Sequence, residues 1–378
     1  MCLKIAQTGR LPAGFLGFDI IIIALLIIWI IFSYCINGWG NARSLNHTVA
    51  YIVSFLLFYV AIKFTLNNLF DKSKIIRLVL KLLTYTTILN ALYACIEFVA
   101  SNFIGLNLND YVPRPSEEEA FYDASVLELF YRARGFAPES GHFTFMMELF
   151  LPYTLYYLFF SGYCKLNRGI KIISTAVIAF SFLFAVSSAS FVIIPLSFFI
   201  ASLISFEKSV LFLKARLTQV IIFLTTLSSI LFVLNYLFPL YSYILLSLSD
   251  KLDSTSFDDR QSRIDFFFYA FNKQDVMHKL YGAGPAGFDI LGFDDSKSIL
   301  SLYYSITFEL GFIGLLLLSL LFVYFMLCTI NKRKKMSFFS LVSIIAGVMH
   351  YYFIANFWYP WFWFVGAFIM FSEKNRDD

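Results

Sequence analysis

A run of about twenty consecutive apolar residues can satisfy its backbone in lipid only as a helix. Such runs recur from one end of this 378-residue chain to the other. They are continuous rather than alternating, which excludes a β-barrel. With 59% hydrophobic residues, 47 phenylalanines and 14% charged residues, the chain has more apolar surface than a soluble core needs. The sequence therefore predicts an all-α polytopic membrane protein, residues 1–378 forming a single integral membrane domain.

Ten spans fit the hydropathy: roughly 15–36, 48–70, 75–104, 140–161, 170–186, 189–206, 217–239, 299–330, 337–355 and 357–372. The first, from Phe15 to Ile36, is too long for a signal-peptide core and lacks a small-x-small cleavage site, so it is expected to be retained. Basic residues set the orientation. Lys72, Lys74, Arg77 and Lys81, then Lys165, Arg168 and Lys171, then Lys208, Lys214 and Arg216, and the cluster Lys332 to Lys335 all fall on one side, together with both termini. That side is expected to be the cytoplasm, and Lys63 is expected to snorkel toward it. The net charge of +4 is thus a topology signal and not a nucleic-acid footprint. The five cysteines have neither disulfide nor metal-ligand spacing.

Two long polar segments, 105–139 and 241–298, then lie on the outer side. In the first, Ser116 and Glu119 make a capping box ahead of a short helix running to about Tyr131. In the second, Ser256 and Asp259 repeat the box ahead of an amphipathic surface helix from Arg260 to Leu280, with Ile264, Phe267, Phe268 and Phe271 on one side. Arg260 and Arg263, three apart, share a face and suit a phosphate group; the alternative is pairing with Asp258, Asp259 or lipid headgroups.

The first outer segment ends in Arg132-Ala-Arg-Gly-Phe-Ala-Pro-Glu-Ser-Gly-His-Phe143, where a charged loop turns into an apolar helix. Ser140 reads as the N-cap, placing free N–H groups and the positive helix end beside Arg132 and Arg134, a corner that suits an anionic, phosphorylated ligand. His142 lies one turn inside it, where it would touch a sugar or phosphate. Gly282-Ala-Gly-Pro-Ala-Gly287 matches a dinucleotide fingerprint only formally, because no strand precedes it and no nucleotide pool exists outside the membrane. Gly282 and Gly284 instead read as a tight turn that lets backbone approach a ligand or another helix.

Within the spans, Ser140, Thr144 and Glu148 form a polar stripe, Ser301, Ser305 and Glu309 repeat its spacing, and Asn90 and Glu97 share a face. These groups line a common cavity or act as interhelical glue. Glue is the favoured reading for Glu97 and Glu148, whereas Glu309, close to the outer end of its span, is open between the two. His278 and His350 read as packing or hydrogen-bonding residues, and Phe357-Trp-Tyr-Pro-Trp-Phe-Trp363 reads as an interfacial belt with sugar stacking as a secondary role.

Taken in order, Arg132-x-Arg-Gly-Phe-x-Pro-Glu-Ser140, Ser187-Ser-Ala-Ser190, Arg260 with Arg263, Gly282-x-Gly-Pro285 and Glu309-Leu-Gly-Phe-Ile-Gly314 resemble the O-antigen polymerase and ligase superfamily of bacterial envelope enzymes, over residues 132–314. The resemblance implies a GT-C-like bundle with two periplasmic loops in the inner membrane. It implies transfer of a growing glycan from an undecaprenyl-diphosphate carrier to the sugar hydroxyl of another carrier-linked repeat unit, without cofactor or metal. The implied partners are that lipid-linked oligosaccharide and membrane lipids, with a chain-length regulator protein as a possible further one. The segment Ser296 to Tyr303 lacks the histidine common in ligases, which favours polymerase, and Phe191 stands where a basic residue often follows the serine turn.

On that basis Arg134, Arg260 and Arg263, with the helix end at Ser140, are expected to hold the diphosphate and stabilise the charge that develops as it leaves, and Arg132 to assist. Glu139 is expected either to deprotonate the acceptor hydroxyl or to pair with a neighbouring arginine. A flippase for the same lipid-linked sugar is the rival from another class; the two long loops and the absence of internal repeats weigh against it.

Overall fold

A computed structural model describes residues 17–68, 71–106, 108, 131–185, 187–205, 255–290, 299–330 and 335–374. Every regular element among them is helical. The helices are α1 (Phe18–Gly38), α2 (Ala42–Asn68), α3 (Lys72–Ile104), α4 (Ser140–Phe160), α5 (Arg168–Ala185), α6 (Ser188–Ile204), α7 (Thr255–Lys273), α8 (Val276–Tyr281), α9 (Gly287–Ile290), α10 (Leu302–Ile330), α11 (Lys335–His350) and α12 (Pro360–Lys374).

Six of these, α1 to α5 and α10, are long and apolar enough to cross a membrane. The chain is an α-helical, multi-pass membrane protein. Helices α6, α11 and α12 stand where further spans were expected but are shorter. The expected span 217–239 and the short helix ahead of Tyr131 lie outside the described residues.

Short polar residues set where the helices begin. Asn41 Oδ1 accepts the N–H groups of Arg43 and Ser44 at 2.9 and 3.1 Å to start α2. Asp71 does so for α3, accepting from Lys74 N at 3.0 Å, and Asn167 for α5, accepting from Ile170 N at 2.8 Å. Each satisfies a first-turn donor that the helix itself leaves unpaired.

The described chain divides into two compact units, Met1–Val79 with Arg260–Asp378, and Leu80–Asp259. In the first, α1 packs on α10, α2 on α12, and α10 on α11 and α12. Tyr51 stacks on Phe357 with ring centroids 3.6 Å apart, and Phe322, Tyr351 and Phe362 interlock beneath. In the second unit α4 is the central rod. Its side chains from His142 to Thr154 are buried all round except for Leu151, the pattern of a helix enclosed by others.

Two expectations change on the structure. Lys63 does not snorkel: it is 2% exposed, its Nζ 2.5 Å from Asp19 Oδ2, with the Tyr59 hydroxyl donating to the same oxygen. Asp19, in the first turn of α1, faces inward and supplies a buried counter-charge, so the ammonium gains more from pairing than from reaching for water. The amphipathic helix from Arg260 to Leu280 is two helices, α7 and α8. Asp275 breaks it by accepting from His278 N at 2.8 Å and capping α8. The buried face of α7 carries Phe267 and Ala270, with Phe266 and Phe271 flanking, whereas Phe268 faces out.

Candidate functional site

In the second unit the Arg132–Phe143 corner is a braced turn. Glu97 Oε2, near the end of α3, accepts both Arg134 N and Gly135 N at 2.9 Å. Two turns earlier, Asn90 Oδ1 accepts Phe136 N at 2.9 Å. Gly135 has a φ of 57°, and a Cβ there would stand 2.3 Å from Asn90 Oδ1, so only glycine fits. The shared face of Asn90 and Glu97 is therefore explained: it holds this loop.

The arginines take part in the same bracing. Arg132 Nε donates to Ala185 O at the end of α5 at 3.1 Å. Arg134 donates from a terminal nitrogen to Pro138 O at 2.7 Å, and its Nε lies 4.0 Å from Glu97. The cap of α4 is Glu139 rather than Ser140; Ser140 is the first helical residue, because Glu139 has extended backbone and its carbonyl receives Phe143 N at 3.0 Å. His142 is buried, with Nδ1 4.0 Å from the half-exposed Glu139 carboxylate. Deeper in α4, Thr144 donates to Ser187 Oγ at 3.4 Å, and Glu148 is buried.

A cleft of about 260 Å3, lined by Lys81, Tyr85, Tyr157, Tyr163, Cys164, Lys165 and Leu166, lies toward the other end of α3. It is no part of the corner.

The first unit holds a second centre. Gly311 interrupts α10 with φ 68° and ψ −173°, a conformation open to glycine and few other residues. The break frees the carbonyls of Phe308, Glu309 and Leu310, and each finds a donor. Ala283 N reaches Phe308 O at 2.8 Å, Gly284 N and Ser33 Oγ reach Glu309 O at 3.0 and 3.1 Å, and Trp29 Nε1 reaches Leu310 O at 2.8 Å. Buried backbone acceptors are thereby satisfied without the helix.

Gly282 and Gly284 make this possible. A Cβ on Gly282 would sit 2.1 Å from Glu309 O. The glycine turn approaches another helix, and its N–H groups are committed to protein carbonyls. Arg263, three residues after Arg260, is carried on α7, whose Phe267 packs in one cluster with Ala283, Phe288 and Phe308. Arg260, Arg263, Gly282, Gly284 and Glu309 thus belong to one unit, and Arg132, Arg134, Glu139, Ser140 and His142 to the other.

Sequence reasoning missed two residues, His47 and Tyr51. The Glu309 carboxylate, 5% exposed, receives the Tyr51 hydroxyl on Oε2 at 2.9 Å, and His47 Nδ1 stands 3.3 Å from Oε1. Both partners come from α2, where Ser44, Thr48 and Tyr51 form a buried polar stripe at helical spacing. That stripe was the available signal. No family model matches the chain, and neither a curated protein nor a solved structure does.

Proposed function

We propose that this protein is a membrane glycosyltransferase that joins undecaprenyl-diphosphate-linked oligosaccharide units into O-antigen or capsular polysaccharide at the outer face of the bacterial inner membrane. The observation that carries the reading is the junction at Gly311. There Gly282-x-Gly-Pro and Glu309-Leu-Gly, two stretches on which the resemblance rests, hydrogen-bond as one backbone knot beside a buried carboxylate. A membrane span tolerates such a break only where neighbouring groups re-satisfy its carbonyls, and an ionisable group inside a span is by default a functional candidate.

In this reading the chain has ten spans in a GT-C-like arrangement, cytoplasmic termini and two periplasmic loops. Arg260 and Arg263 hold the diphosphate and stabilise the charge it gains on leaving the anomeric carbon. The Arg132–Phe143 corner is tested separately through Arg134.

Purified protein supplied with lipid-linked repeat units is expected to lengthen the glycan. Arg263→Lys should lose at least about tenfold in rate, because an ammonium cannot reproduce a two-pronged grip on phosphate. Glycan moving across liposomes without lengthening would make the protein a transporter, and transfer to lipid A-core would make it a ligase. Full activity of Arg134→Lys would restrict that arginine to bracing its loop.

A further inference from the structure

We infer that the cleft between α3 and the α4–α5 turn holds the phosphate headgroup of an anionic phospholipid, with Lys81 and Lys165 as its counter-charges. The site needs only a membrane-spanning chain and is independent of glycosyl transfer.

The cleft has the chemistry of an anion site with apolar walls. Its lining holds Lys81 and Lys165 and no carboxylate, while Tyr85, Tyr157, Tyr163 and Leu166 supply the walls. Both lysines are exposed. Lys81 Nζ stands 5.6 Å from the centre of the Tyr85 ring, close enough to be attracted by its face. A ring holds an ammonium without neutralising it, so the charge is left for an anion. All of these residues belong to one unit, Leu80–Asp259.

The turn is braced by its own hydrogen bonds. Ser161 Oγ accepts Tyr163 N at 3.1 Å and donates to Tyr157 O at 2.8 Å. Lys171 Nζ, from α5, donates to Cys164 O at 3.3 Å. A wall held in this way loses little freedom when a ligand binds.

Depth and continuity favour a lipid over a soluble anion. Helix α3 has 33 residues, about 50 Å of helix against a hydrocarbon core of about 30 Å. Lys81, about 14 Å from its first residue, therefore falls near the level of the headgroup phosphates. Beyond it Tyr85, Leu89, Leu92 and Ile96 are exposed on α3 at helical spacing. That row runs from Lys81 toward the bilayer interior, so a bound phosphate has an apolar strip beside it for its acyl chains. The cleft volume of about 260 Å3 is below the roughly 300–1,000 Å3 of pockets that enclose whole small molecules, and suits a headgroup whose tails stay outside. Basic pockets between membrane spans take phospholipid headgroups in this manner.

The test uses the full chain in a non-ionic detergent, titrated with phosphatidylglycerol, phosphatidylcholine or inorganic phosphate. Retained lipid is counted by native mass spectrometry. The rate at which N-ethylmaleimide modifies Cys164, which also lines the cleft, is followed by peptide mass spectrometry, with thermal stability measured alongside. We expect phosphatidylglycerol to be retained in preference to phosphatidylcholine and to slow Cys164 modification. Lys81→Gln and Lys165→Gln should each weaken phosphatidylglycerol binding about fivefold, and the double variant about 25-fold. Lys279→Gln, outside the cleft lining, should leave it unchanged. Equal retention of the two lipids by the wild type overturns the site, as does wild-type binding by the double variant. Phosphatidylglycerol that binds without slowing Cys164 lies elsewhere and overturns it too. Protection of Cys164 by inorganic phosphate as strong as that by phosphatidylglycerol would make the ligand a soluble phosphate and overturn the lipid.

Discussion

Lys63 and Asp19 form an ion pair inside the bundle. Both are buried, and the Tyr59 hydroxyl shares the same carboxylate oxygen. Removing one partner strands a charge where water cannot reach it, at a cost of about 3–5 kcal/mol, whereas replacing both with apolar groups of similar volume is near neutral. Lys63→Met should therefore lower thermal stability sharply, and Asp19→Leu combined with it should restore most of the loss. A loss in the double variant equal to the sum of the two single losses would show that the pair contributes nothing as a pair. Asp71 is the exposed counterpart. The Lys74 side chain, then the Lys74 N–H and the Ser73 hydroxyl, hold its carboxyl down from 3.8 to about 2. Because the folded value lies below the unfolded one, the cap's contribution to α3 is fully present above about pH 4 and disappears as the pH falls through about 2. Exchange of the Lys74 amide should be flat from pH 7 to 4, after allowing for intrinsic exchange, and should quicken below that; Asp71→Ala should remove the transition.

The helices were largely legible because apolar runs and Asx caps are local signals. Runs near 15–36, 48–70, 75–104, 140–161 and 299–330 reappear as α1, α2, α3, α4 and α10 within a few residues at most ends, with the start of α2 six residues early. What the runs could not reveal was which polar groups would meet. Tyr51 and Glu309 lie 258 positions apart, and Glu97 meets Arg134 only because α3 and the corner fold against each other. Pairings of that kind are set by packing, so periodicity placed Glu97 and Asn90 on one face without naming the loop they hold. The break in α10 was hidden for a further reason: Glu309-Leu-Gly311 sits within an unbroken apolar run, and a glycine inside a helix ordinarily costs only about 1 kcal/mol. Here Gly311 carries a positive φ, and a Cβ would stand 2.2 Å from Leu280 O. Gly311→Ala should cost well above that figure, on the order of 3 kcal/mol, by combining backbone strain with a clash against main chain. Gly141→Ala, where a Cβ on the first turn of α4 meets nothing within 4 Å, is the control and should cost less. Thermal melts in detergent that do not separate the two variants would argue that α10 straightens without penalty.

The apolar surface left uncovered is arranged to meet lipid. On α10, Leu316, Leu320, Val323 and Leu327 are exposed at helical spacing, and Ile21, Leu25 and Ile28 form a similar row on α1. Exposed rows of this length are tolerable only where the solvent is itself apolar. Trp39, 77% exposed where α1 gives way to α2, suits the interfacial belt at one end of those rows. At the far end of α2 comes Asp71, followed by Lys72, Lys74 and Arg77, the composition expected of a cytoplasmic turn. Helix α2 separates the two turns by 27 residues, about 40 Å of helix, enough to cross the hydrocarbon core. Cysteines introduced at Asn41 and Asp71 in a chain stripped of its own should therefore react with a membrane-impermeant maleimide from opposite sides. In intact spheroplasts Asn41→Cys should label, and Asp71→Cys should label only after lysis. Labelling of both before lysis would mean that α2 does not cross. Reversed accessibility would keep the crossing but place the Gly311 junction and Glu309 on the cytoplasmic side, where a substrate presented at the outer face could not reach them.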